Sequence, residues 1–191
     1  QLDNTKYKGL PLVVGGSPEQ RGVVAAASYE ARRYGIRSAM PMWSAFKLCP
    51  TLIRVSPRFG RYQEISREVM SVFYRLTSLV ETLSLDEAYM DISNHVGMEE
   101  VHRIAHELKS DVLKVTGLVV SIGGGSSKVV AKIASQLAKP NGMLLVKPGE
   151  EIQFLSPVPV DMLWGVGPKT KEILDGYKIY TIGQLQVCDQ H

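Results

Sequence analysis

The chain has 191 residues, 45% of them apolar, and a net charge of +3, enough for one large or two small domains with a real core. Its two cysteines, Cys49 and Cys188, are far apart and match no metal-ligand spacing, which argues against a disulfide scaffold or a zinc site and suggests a reducing compartment. No apolar run reaches the length of a membrane span and no signal-peptide pattern opens the chain, so a soluble, cytoplasmic protein is expected.

Gln1-Leu2-Asp3-Asn4 lacks an initiator Met and reads as the tail of a helix, with further sequence expected upstream. Leu10–Gly16 reads as a buried strand ending in a turn, and Gly22–Tyr29 as a second strand of small residues that lets a backbone or ligand approach closely. A helix from Tyr29 into Arg33 ends at Gly35, and Ala39-Met40-Pro41-Met42 leads into another through Leu48, stopped by Pro50. From Tyr62 to Leu83, Ile65, Val69, Val72, Phe73, Leu76, Leu79 and Val80 recur at helical spacing. Two short alternating strands follow through Ile92, joined at Ser84-Leu85-Asp86-Glu87. Glu99–Val115 is a second amphipathic helix, with Val101, Ile104, Ala105, Leu108 and Val112 on one face. Leu118–Ile122 reads as a strand and Gly123–Gly125 as a turn; Ser126 or Ser127 can cap a helix from Lys128 to Ala138. Lys139-Pro140-Asn141-Gly142 turns into the strand Met143–Val146.

This central order, with a strand added before the first helix, would give the ferredoxin-like split βαβ pattern of an α+β fold. After Pro148 the pattern changes to short helices. One ends near Leu163, another spans Lys169–Leu174, and Thr181 opens a third. Trp164-Gly165-Val166-Gly167-Pro168 separates the first two. His191 carries no terminator, and a C-terminal truncation is expected.

Residues 1–62 hold ten Lys/Arg against three Asp/Glu, whereas residues 63–191 hold twelve against sixteen. A basic module beside an acidic one suggests polyanion contacts in the first and metal contacts in the second; ordinary fluctuation of surface charge is the alternative.

Four constellations carry chemistry. Glu81, Asp86, Glu87 and Asp91 fall within eleven residues. Asp86 and Glu87 would point to opposite faces of an extended strand, and a tight turn lets them converge. A divalent metal holding phosphate oxygens is the first candidate opposite them, though such chemistry normally needs a further carboxylate. Asp91, further down the strand, is a poor third. A solvated acidic turn is the bland reading. Tyr29 and Arg32, three apart at a strand-to-helix junction, suit polyphosphate oxygens or are an ordinary helix face. Lys128 and Lys132 share a face, with Lys139 past the helix end; these ammonium groups can hold phosphates or are merely solvated. The preceding glycines lack the Gly-Lys-Ser/Thr spacing of a P-loop. Gly165-Val166-Gly167 can present backbone N–H groups to a phosphate without reading sequence, or is a plain interhelical turn.

Ser84-Leu85-Asp86-Glu87-Ala88-Tyr89-Met90-Asp91 closely resembles the catalytic-acid motif of Y-family DNA polymerases, the low-fidelity translesion enzymes. Ala27-Ser28-Tyr29-Glu30-Ala31-Arg32 resembles their nucleotide-binding motif. Ala131–Ser135 with Ala138–Gly142 resembles another, and Arg37–Met42 with Cys49-Pro50 narrows the likeness to one branch.

The resemblance implies an α/β fingers subdomain (1–60), a ferredoxin-like split-βαβ palm (61–147) and part of a small helix-hairpin-helix thumb (148–191). It implies template-directed DNA synthesis across damaged DNA, with Asp86 and Glu87 ligating Mg²⁺ and Tyr29, Arg32 and Lys139 holding a deoxynucleoside triphosphate. Lys128, Lys132 and Gly165-Val166-Gly167 would lie near DNA. Ala25 and Ala39 would leave an open roof over the nascent pair. Partners would be primer-template DNA, deoxynucleoside triphosphates and a sliding clamp reached through a missing C-terminal segment, with no membrane.

The family's first metal-binding Asp and the aromatic that follows it would lie upstream of Gln1, so this chain is expected to be weak or inactive alone. Gly124-Gly125 stands where Ile-Ser is commoner, and Ala26 where some members carry Thr. A nucleotide cyclase-like palm enzyme is one rival, against which the fingers motif and the Gly165–Gly167 hairpin count. A non-catalytic DNA-binding fragment is another.

Overall fold

The computed structural model describes residues 1–95 and 97–188. Two compact units, Gln1–Ile65 and Ser66–His191, divide the chain. No helix of the described residues is long and apolar enough to cross a membrane.

In the first unit, the apolar run after Pro11 forms β1 (Leu12–Gly15), and the small-residue segment forms β2 (Val24–Ala27). They pair antiparallel, Val13 opposite Ala27, with an irregularity between Val14 and Gly15. β3 (Ile53–Val55) pairs parallel to β1 on its other side, giving the order β2-β1-β3. No strand is expected at 53–55 from the sequence pattern. α1 (Tyr29–Arg32) starts where Ser28 Oγ accepts the Ala31 N–H at 3.2 Å, a side-chain cap that meets one of the helix's unpaired donors. α2 (Met42–Leu48) follows Pro41. Val13, Val24, Ala31, Ile36, Met42, Ala45, Cys49 and Leu52 form the core of this unit.

α3 (Phe59–Leu76) is shorter than the sequence pattern suggests. It stops before Thr77, whose hydroxyl accepts the Leu79 N–H at 3.1 Å. That local bond competes with the helical ladder. Leu79 is exposed and Val80 opens a strand instead.

β4 (Val80–Thr82) and β5 (Ala88–Met90) form an antiparallel hairpin, Glu81 opposite Tyr89. α4 (Met98–Thr116) buries Ile104, Ala105, Leu108 and Val112 and ends at Gly117, which takes the left-handed conformation of a helix stop. Met70, Val72, Phe73, Leu108 and Val112 make a core against which Val80, Ala88, Met90 and Ile122 pack.

β6 (Ile122–Gly124), α5 (Lys128–Leu137) and β7 (Met143–Leu145) form a parallel crossover unit, Ile122 opposite Met143. This corrects two expectations. The strand expected over 118–122 begins only at Ile122, and Gly123 and Gly124 belong to it rather than to a turn. The reason is close packing: a Cβ on Gly123 would meet the Ala131 carbonyl oxygen and the Ser135 nitrogen, both at 2.1 Å. Glycine here admits a helix backbone rather than breaking a strand. Ser127, not Ser126, caps α5 through the Val130 N–H.

β4–β5 and β6–β7 are two separate two-stranded sheets. The strand before α3 pairs in the first unit's sheet instead. α6 (Glu151–Leu155), α7 (Pro168–Gly176) and α8 (Ile182–Gln186) follow. The helix expected to end near Leu163 is a short 3₁₀ turn, Val160–Met162. Phe154 and Leu155 pack on Val130, Ala134 and Val146, and Ile133 on Val158 and Ile182, so α5 shares its apolar face with this segment.

Gly123→Ala is expected to cost about 1–3 kcal/mol of stability, the range for overpacking a tight site, because both clashing atoms are backbone. Gly60→Ala on α3, where a Cβ meets nothing within 4 Å, should instead raise stability by about 0.4–1 kcal/mol. Urea midpoints of the two variants should move in opposite directions.

Candidate active site

The β4–β5 hairpin builds the site. The N–H groups of Leu83 and Ser84 both donate to the Glu87 carbonyl, at 2.9 and 3.3 Å, and close the loop between the strands. Within it Ser84 Oγ donates to Asp86 Oδ1 at 2.7 Å and accepts the Asp86 N–H at 3.4 Å. Ser84 thus fixes the Asp86 carboxylate at an exposed apex. Glu87, at the base of the loop, meets Lys132 Nζ at 3.0 Å; their side chains are 40% and 20% exposed.

Lys128, one turn earlier on α5, is ion-paired with Glu81, and its Nζ lies 5.6 Å from the centre of the Tyr89 ring. The helix period puts both lysines on one face, and the hairpin offers each a carboxylate. Asp91 is occupied elsewhere. Its Oδ1 accepts the Ser93 hydroxyl at 2.5 Å and the Ser93 N–H at 2.8 Å, and these bonds hold its carboxyl below the usual range. Among the described residues no group of three or more His, Cys, Asp or Glu is placed to hold a metal ion. Among the described residues Asp86 is the exposed carboxylate of the loop with no cation partner, and half-buried Glu87 beside it is paired with Lys132.

In the first unit, Arg32 Nε donates to the Ala27 carbonyl at 3.1 Å, and its guanidinium lies 6.0 Å from the Tyr29 ring centre. Its two terminal amino groups donate to no acceptor among the described residues. Tyr29 is itself more than half exposed. The pair therefore does share a face. Ala39 adopts φ +66° and its N–H donates to the Val24 carbonyl at 2.8 Å; Ala25 on β2 is exposed.

In the second unit, the ammonium of exposed Lys139 reaches only Gln136 Oε1 among the described residues, at 3.5 Å. Gly165 takes φ +95°. Of the backbone N–H groups at Gly165–Gly167, that of Val166 is engaged, donating to the Leu163 carbonyl at 3.0 Å. Gly167 caps α7 by position, with Pro168 in the first turn.

Sequence reasoning missed Ser84 as the group that fixes Asp86, and Tyr89 and Glu81 as partners of Lys128. Ser84 two residues before Asp86 was the available signal, since Ser and Asp bond each other or nearby backbone at that spacing.

The impB/mucB/samB family model matches residues 1–136. The DNA polymerase IV of Exiguobacterium sibiricum is 45% identical over 187 residues, which cover 97% of this chain and 52% of that protein. The DNA polymerase IV of Leptospira interrogans serovar Lai is 46% identical over 182 residues, covering 95% and 50%. The chain thus spans about half the length of these relatives. Among solved structures, DinB from Sulfolobus solfataricus superposes with a TM-score of 0.91 at 31% identity, over 98% of this chain and 56% of that one. The insertion ternary complex of Dbh DNA polymerase gives 0.89 at 31% identity, with the same coverage.

Lys132 competes with any cation for Glu87. A partly exposed pair of this kind contributes roughly 0.2–1 kcal/mol. Lys132→Met should therefore tighten Mn²⁺ binding to the hairpin by about 1.5- to 5-fold. Titration calorimetry reads this directly, and an unchanged or weaker affinity would refute the competition.

Proposed function

This chain belongs to the impB/mucB/samB family as a homologue of Y-family DNA polymerase IV, and from that premise we propose that it carries the nucleotide- and metal-contacting parts of a translesion DNA polymerase. The observation that supports this best is the exposed Asp86–Glu87 loop, held by Ser84 and faced by Lys132.

The donor set suits Mg²⁺. Carboxylate oxygens are hard ligands, and this ion is commonly bound through one or two carboxylates plus substrate phosphates and water. Asp86 and Glu87 would hold it. When bound, Mg²⁺ neutralises triphosphate charge and favours ionisation of the attacking primer 3′-hydroxyl. The chain's own residues do the positioning. Ser84 aims the Asp86 carboxylate. Tyr29 offers a phenol and Arg32 its terminal amino groups to phosphate oxygens. Lys139 presents an exposed ammonium that makes only a long bond to Gln136 among the described residues. Lys128 and Lys132 balance the hairpin's negative charge and contact DNA or nucleotide phosphates. The N–H groups of Gly165 and Gly167 are the ones we assign to a DNA backbone.

In this reading residues 1–60 serve as fingers, 61–147 as a split-βαβ palm and 148–191 as part of a helix-hairpin-helix thumb. The substrates are primer-template DNA and deoxynucleoside triphosphates, a sliding clamp is a partner of the whole protein, and the compartment is the cytoplasm. Two carboxylates are fewer than two-metal transfer uses, so the 191-residue polypeptide is expected to bind nucleotide and metal yet extend primers weakly or not at all.

Asp86→Asn and Glu87→Gln should each weaken Mn²⁺ binding by at least the roughly 10–100-fold that outer-shell changes cost at metal sites. Calorimetric titration checks this, and unchanged affinity in both would sink the assignment. Robust Mg²⁺-dependent primer extension by the purified chain would instead show that the two carboxylates suffice. Salt-dependent DNA binding with no metal-dependent nucleotide affinity would leave only a DNA-binding role.

A further inference from the structure

Lys109, on α4, is half-buried and has no carboxylate partner among the described residues. Its ammonium instead lies close to four oxygens: the carbonyls of Val120 (2.5 Å), Asn141 (2.8 Å) and Gly142 (3.2 Å), and the Asn141 side-chain oxygen (2.9 Å). An ammonium has three N–H donors, so this cage fills it. Burial pulls its pKa below the ordinary lysine range. The oxygens work against that pull, since hydrogen bonds to a charged form stabilise it.

The cage joins three segments. α4 supplies the cation, the run into β6 supplies Val120, and the turn after α5 supplies Asn141 and Gly142. That turn also bonds within itself and to the run into β6, where the Ser121 hydroxyl donates to the Ala138 carbonyl at 3.4 Å. Gly142 N–H donates to the Ala138 carbonyl at 2.8 Å and Lys139 N–H to the Gln136 carbonyl at 3.2 Å. The Gly142 carbonyl also accepts the Ile122 N–H at 3.2 Å. Asn141 sits at φ +51°, a conformation few residues other than glycine and asparagine adopt readily. Lys139 stands at the other end of the same turn, exposed.

We infer that Lys109 is a positioning residue for Lys139, holding the Lys139–Gly142 turn in the one arrangement from which the Lys139 ammonium meets a polyphosphate. This rests on the reading that Lys139 contacts the triphosphate. Lys109 itself touches no ligand. Its donors are already filled by the protein, and it acts by removing the turn's freedom before the ligand arrives.

The test is a double-mutant cycle on the 191-residue chain, with dATP and Mg²⁺ as the titrated probe. Lys139→Ala should weaken binding about tenfold or more, as the loss of a hydrogen bond to a charged group does. Lys109→Met should weaken it severalfold when Lys139 is present and have no further effect in the Lys139→Ala background. Additive losses would show that Lys109 acts independently of Lys139 and would overturn the inference. No loss from Lys139→Ala would overturn the underlying reading, and the inference with it.

Circular dichroism and thermal melting establish that each variant is folded. If Lys109→Met is not, Asn141→Gly carries the test. It removes only the side-chain oxygen of the cage and keeps the left-handed backbone accessible. It must show the same dependence on Lys139, and a Lys139-independent loss or no loss would equally overturn the inference.

Discussion

The close approach of α5 to β6 is the constraint on which the second unit depends. It exists because Gly123 has no side chain where the Ala131 carbonyl and Ser135 nitrogen pass. α5 buries Val130, Ile133 and Ala134 and so offers its opposite face, with Lys128 and Lys132, to the β4–β5 hairpin. Its C-terminal end also delivers the Lys139 turn. One packing decision therefore sets the position of three of the basic groups assigned to phosphate or acid contacts.

Electrostatics then sorts the hairpin's acids. Glu81 and Glu87 each have an ammonium partner, and Asp91 is taken by Ser93. Such exposed pairs contribute little to stability. Their consequence is local charge balance: an anionic hairpin next to a phosphate-bearing substrate would repel it, and two lysines at helical spacing offset that repulsion. Lys128 Nζ also lies 5.6 Å from the centre of the Tyr89 ring on β5.

Much of this was legible because the signals were local. The alternation around Asp86-Glu87 announced a hairpin, the period of Ile104, Ala105, Leu108 and Val112 announced α4, and the Ser126-Ser127 pair announced the start of α5. What was illegible was non-local. β3 is three residues long and acquires its meaning from β1, far earlier in the chain. Gly123 and Gly124 read as a turn, because from sequence alone a glycine permitting helix approach looks the same as one permitting a bend. Lys109 lies among polar residues on an exposed-looking stretch of α4, and nothing in its neighbours indicates that its partners are backbone carbonyls near Val120 and Asn141.

Asp86 differs from the hairpin's other carboxylates in one respect. Its partner is a hydroxyl and an amide from its own loop, and among the described residues no cation answers its charge. A neutral donor such as Ser84 orients a carboxylate without neutralising it, whereas an ammonium does both. The loop is closed by main-chain bonds to the Glu87 carbonyl, so exposing Asp86 needs no movement of β4 or β5. The hairpin thus keeps one carboxylate oriented by its own loop at its apex and one paired with a lysine at its base. A cation approaching Asp86 would break no ion pair there, whereas Glu87 is already held by Lys132. The difference follows from where the chain places Lys128 and Lys132 relative to its acids.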